Sequence, residues 1–202
     1  MKRIVIAGAA GAVVLFVWSI LSTTVIPWHR IGKLPSEAAI TQSFRAAHVE
    51  RGVYWIPGTD HSVDTGALTG HEADALTNEW KSAYKKGPIA LVVYRPKGAS
   101  PLGITRYVGG FVLDFFLAVT AAILLTMAAP SLPGLPGRIG FVILLGIFTV
   151  FGSTLMDWNW MNYPIKFTLG VAGETLVGAV LLGLTLAFLV SPDWELAEED
   201  QE

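Results

Sequence analysis

There is no cysteine anywhere in the 202-residue chain. That absence excludes disulfides, thiolate metal sites and iron–sulfur clusters together. Charge is scarce as well: Asp, Glu, Lys and Arg make up 15% of the residues, against about a quarter in an average soluble domain. The charges that exist nearly cancel, 14 basic against 16 acidic, so there is no basic footprint for nucleic acid. Histidine is missing from every apolar stretch. His29, His48, His61 and His71 all lie outside them, which excludes the usual transmembrane ligation of haem. Catalytic signatures are absent too: no His-Glu-x-x-His, phosphate loop or dinucleotide fingerprint, no Gly-x-Gly-Asp, and no Ser/His pair within a span. The reading is of a chain that is not an enzyme and carries no cofactor.

What the chain has in quantity is apolar surface. Hydrophobic residues are 52% of the total and mean hydropathy is +0.54. They fall in four blocks, each near the ~20 residues that cross a bilayer as helix. The first, Ile4 to Ile26, holds no charge and follows Met-Lys-Arg. It is longer than a usual signal-peptide core, so it reads as an uncleaved anchor over residues 1–27. The second runs from Tyr107 to about Ala129 with one charge, Asp114. The third lies between Arg138 and Asp157, and the fourth, Phe167 to Val190, carries Glu174. The expected fold class is therefore a membrane all-α protein with four transmembrane helices. A small α+β extracytoplasmic domain, residues 28–106, stands between helices 1 and 2. A three-helix region follows over 107–190, then an acidic tail over 191–202.

Lys2, Arg3 and Arg138 favour cytoplasmic termini, which makes 28–106 extracytoplasmic. Opposing bases at Arg30, Lys33, Arg95, Lys97, Arg106 and Lys166 weaken that rule, although long loops translocate largely regardless of charge. Within 28–106 the pattern predicts a helix capped by Ser36 and running to about His48, then a strand Gly52–Ile56 stopped by Pro57-Gly58. A polar loop, Asp60 to Gly70, leads to a helix His71–Lys86 with an apolar stripe of Ala75, Leu76, Trp80 and Tyr84. A second strand, Ile89–Tyr94, closes the domain, and the strand–helix–strand order permits a parallel pair. A core of this size is marginal alone.

Charged groups inside a span command attention, because burying one unpaired costs several kcal/mol. Asp114, Asp157 and Glu174 are the candidate intramembrane polar residues. Gly110, Asp114 and Ala118 recur every fourth residue, as do Gly170, Glu174 and Gly178, and Thr149, Ser153 and Asp157. Small residues at that spacing let helices approach closely, so Gly110, Ala118, Gly170 and Gly178 are candidate packing positions. Gly8 and Gly11 belong to a similar small face on span one. The segment Pro130 to Gly137 reads as a tight turn. The loop Asp157 to Pro164 is rich in indoles, and Trp28, Trp158, Trp160 and Tyr163 suit the headgroup level or a docking surface. His61, Asp64, His71 and Glu72 match no metal-ligand spacing and read as surface residues. The tail carries Asp193, Glu195, Glu198, Glu199, Asp200 and Glu202 with no base, a solvated run.

Three short strings, Pro27-Trp28-His29, Gly52-Val53-Tyr54 with Pro57, and Tyr163-Pro164 with Phe167-Thr168-Leu169-Gly170, resemble an uncharacterised bacterial four-span inner-membrane protein family. The resemblance implies a fold plan and a bacterial inner membrane, and no reaction. Taken together, the features point to a non-catalytic accessory subunit of a larger membrane complex. The complex would be bioenergetic, photosynthetic or respiratory by analogy, with partners among other membrane subunits, the bilayer, and no nucleic acid. Two alternatives stand beside it. One is a small proton- or ion-coupled transporter using Asp114 and Glu174; the other is an extracytoplasmic sensing or ligand-binding protein.

Overall fold

In the computed structural model, residues 2–26, 28, 31–59, 69–132 and 134–190 are described. The helices are α1 (Lys2–Thr24), α2 (Glu37–Ala46), α3 (Gly70–Lys86), α4 (Ile104–Ala128), α5 (Gly134–Thr149), α6 (Leu155–Met161) and α7 (Ile165–Leu189). The strands are β1 (Gly52–Ile56) and β2 (Ala90–Tyr94). Four helical stretches are long and apolar enough to cross a membrane: Lys2–Thr24, Ile104–Ser131, Gly134–Met161 and Ile165–Leu189. Packing divides the chain into two compact units, Met1–Ile31 with Pro101–Glu202, and Gly32–Ser100.

The first unit holds every buried residue among those described. Its core is built from Ala7 and Leu15 of α1, Ala118, Ala121, Ala122 and Leu125 of α4, Val142 of α5, and Leu182 and Leu186 of α7. Small residues set the helix spacing. A Cβ on Gly8 would collide with Val119, and one on Gly146 with Ala179. Gly11 sits between Ala118 and Leu182, so α1 is gripped by α4 on one side and α7 on the other. Close approach of this kind replaces the hydrophobic driving force that lipid does not supply.

Span three departs from the expected boundaries and the expected face. It starts at Gly134, four residues earlier than the apolar block, because Pro136 falls in the first turn, where a missing N–H breaks no bond. The helix also continues through the indole-rich segment to Met161, so Trp158 and Trp160 are helical. It stops at Asn162, in the left-handed conformation with φ 55°, before Tyr163-Pro164, which disfavours further helix. Thr149 and Ser153 are exposed, so they do not line the bundle with Asp157, which is half-buried. The buried positions are Arg138, Val142, Gly146, Val150 and Thr154. A strict four-residue step drifts about 40° per step on a 3.6-residue helix. The π-helical turn Val150–Thr154 widens the last step and keeps Thr154 on the buried face.

The second unit is a two-stranded sheet with two helices. The strands run antiparallel, Gly52 opposite Tyr94 and Ile56 opposite Ala90, not as the parallel pair that the element order permits. The reason is where α3 ends. Trp80 Nε1 donates to Pro57 O at 3.3 Å, which holds α3 beside the end of β1, and β2 begins at that same end with Ala90 opposite Ile56. Phe44 of α2 meets Tyr94 edge-on at 5.2 Å. Ser36 sits at the start of α2 in a left-handed conformation, φ 55°, and makes no side-chain cap; its carbonyl accepts from Ala39 instead. The cap of α3 is better made: Glu72 reaches back to accept from both the N–H (2.9 Å) and the hydroxyl (2.7 Å) of Thr69. No described residue of this unit is buried. Leu76 of the expected apolar stripe is 46% exposed, and the cross-strand pair Val53 and Val93 is 65% and 77% exposed.

Candidate functional site

One polar contact ties α1 to α7, through Trp18 and Glu174. Trp18 is the seventeenth of the 23 residues of α1, and an indole N–H in an apolar setting needs an acceptor. It finds one across the interface, donating to the backbone carbonyl of Glu174 at 3.0 Å. The Trp18 ring also faces Gly178, where a Cβ would lie 3.4 Å away. Trp28 folds back against the same helix face: its ring meets Trp18 edge-on at 6.3 Å and covers Gly173 closely enough that a Cβ there would come within 2.8 Å. Trp28 is thereby engaged inside its own unit. Trp18 carries no charge, so nothing in the charge pattern of the spans marks it. The signal available was a lone indole inside an uncharged apolar block, eight residues before its end at Ile26.

Asp114 and Glu174 hold different positions. Both belong to helices that start from the same side, as the eleventh residue of α4 and the tenth of α7. Ala118 lies level with Gly11 of α1, and Glu174 lies level with Trp18. The two acids are thus within about one helical turn of the same depth. Glu174 is tied to α1 through its carbonyl. Asp114 is half-buried and makes no hydrogen bond or ion pair with any described residue. Asp157 is half-buried in the first turn of α6.

The packing positions named from sequence differ in how tightly they are held. Ala118 is fully buried, 3.0 Å from where a Cβ on Gly11 would lie. A Cβ on Gly110 would lie an ordinary 4.0 Å from the Phe16 ring, and Gly170 is buried. At the rim Trp158 is 44% exposed, Trp160 69% and Tyr163 37%, with the Tyr163 ring against Phe167 at 5.5 Å.

At the opposite end of the spans, Arg138 is buried at the start of α5, and its guanidinium donates to Val190 O at 3.4 Å. A cation there complements the C-terminal end of α7. His71 and Glu72 are exposed at the start of α3; His61 and Asp64, most of the loop Asp60 to Gly70, and the acidic tail lie outside the described residues. Among the described residues no group of three or more His, Asp or Glu could hold a metal ion. The concavity along α2, lined by Lys33, Ser36, Glu37, Thr41 and Arg45 among others, is the open flank of one helix and brings together no reactive pair. Comparison with family models, curated proteins and solved structures gives no match, so the functional reading rests on the geometry of the chain itself.

Proposed function

We propose that the chain is a non-catalytic accessory subunit of a larger bacterial membrane complex. It would hold that complex together through helix packing in the inner membrane and through residues 28–106 on the extracytoplasmic side. The observation that carries this reading is the coreless unit Gly32–Ser100, in which no described residue is buried. Lipid can cover the outer faces of the spans, but it cannot cover Val53, Val93 and Leu76 in water. Exposed apolar side chains of this kind mark an interaction surface. The rim of Trp158, Trp160 and Tyr163 supports the same reading, since aromatic anchors dominate interface energetics. A photosynthetic or respiratory assembly is the setting that the four-span layout suggests by analogy.

The test is a pair of rim substitutions in the native cell. Trp158→Ala with Trp160→Ala should cut recovery of co-purifying subunits severalfold, measured by quantitative mass spectrometry. The bundle itself should stay folded, because both rings project outward. Unchanged recovery would count against the rim as a contact. Asp114→Asn and Glu174→Gln separate the transporter alternative: loss of an ion or proton flux with assembly intact would favour it over the accessory role.

A further inference from the structure

We propose that α4 docks a transmembrane helix of a different protein, and that this helix brings a basic side chain to Asp114. The inference rests on the accessory-subunit reading and names the contact within the bilayer. Two independent observations meet at this place. The first is an exposed heptad seam. Leu113, Leu117, Thr120, Leu124 and Met127 follow one another at alternating steps of four and three residues, and all five are exposed. Leu113 is 71% exposed and Met127 75%. That spacing is the 3.5-residue repeat of helices that pack with a left-handed crossing. Among the four apolar residues of the seam, exposure is largest at the two ends and falls to 38% at Leu124.

The second observation is Asp114 itself. It flanks Leu113 at the position beside the seam where charges select the partner in heptad packing. Ala121 and Leu125, seven and eleven residues further along, share its side of the helix and are buried. Asp114 is only half-buried, so the bundle opens at its level. It lies about 10 Å along the helix from Tyr107, and no described residue bonds to it. An uncompensated carboxylate at such a depth costs several kcal/mol, and an acyl chain offers no compensation.

A second copy of this chain does not fit. The spans contain no histidine, and their bases lie at helix ends: Lys2 and Arg3 open α1, Arg106 precedes Asp114 by two turns, Arg138 is buried in α5, and Lys166 opens α7. A symmetric contact through α4 would set Asp114 against itself. The complement is an apolar helix of another protein with Arg, Lys or His at the matching depth.

The experiment places a photoreactive phenylalanine derivative at position 117 of the full chain, expressed in its own cell, with irradiation of native membranes. The expected product is a cross-link to an apolar span of another protein that contains Arg, Lys or His. Asp114→Asn should lower its yield about tenfold, while the same probe at Phe148, on α5, is unaffected. Cross-links only to lipid, to a second copy, or to a span without a base would overturn the proposal, as would an unchanged yield in Asp114→Asn. If those results come while the wild-type protein still migrates with a large complex, only this contact fails. If it migrates alone, the accessory reading fails with it.

Discussion

Ser22 is fully buried in α1 and its hydroxyl has no hydrogen-bond partner among the described residues. A buried polar group left unbonded costs about 1–3 kcal/mol. Ser22→Ala should therefore stabilise the solubilised protein by about 1 kcal/mol, seen as a rise in melting temperature by scanning fluorimetry. A fall would mean that the hydroxyl is bonded, and a water would be its partner. Glu72 offers a second test outside the spans. The Thr69 hydroxyl first, and the Thr69 N–H second, hold its carboxyl below the ordinary carboxylate range. Because the folded value is the lower one, the cap supports α3 at neutral pH and weakens as pH falls through that lowered value. Protection factors for amide exchange in the first turn of α3 should drop in acid, and Glu72→Gln should remove that dependence. Thr69-x-x-Glu72 fits the capping-box pattern, yet the apolar spacing places Thr69 in the polar loop and starts the helix at His71. Ser36 shows the converse: a good capping residue type whose backbone turns left-handed and never caps.

At the scale of elements, the four spans, both strands and α3 are legible because length and periodicity dictate them. The ends are less so. Pro136 inside a first turn and the helical indoles of 158–160 both lie where polar or cyclic residues mimic a loop. The π-helical turn at Val150–Thr154 has no mark in its sequence, since the shift from α is decided by which residues α7 buries. Close approach is also hidden. A four-residue stripe shows which face is small but not what stands against it. Thus Gly178 meets Trp18 at ordinary distance while Gly146 is pressed on Ala179. Gly146→Val should force α5 from α7 and cost about 1–3 kcal/mol. Gly140→Ala, with open space around it, should cost nothing and stabilise α5 by up to about 1 kcal/mol. Equal melting temperatures for the two variants would show that the α5–α7 contact is looser than drawn.

For the whole molecule, the division of labour follows from where the core lies. The membrane unit packs through small residues and contains Asp114, Asp157, Glu174 and the buried Arg138; in the Gly32–Ser100 unit no described residue is buried. Composition made the first legible and hinted at the second, through a segment too short to bury much. It could not say that the strands would run antiparallel or that every described side chain there would stay at least partly exposed. Asp114 was visible as an anomaly from the start. Its isolation was not, because only the packed bundle shows which neighbours decline to pair with it.

The central claim, that this chain works as a part of something larger, is tested most directly by gentle detergent extraction of native membranes, size separation and mass spectrometry of the fractions. The account expects the protein in a large complex, at a fixed ratio to the same companion subunits across the peak. Migration as a monomer or small homo-oligomer would contradict it.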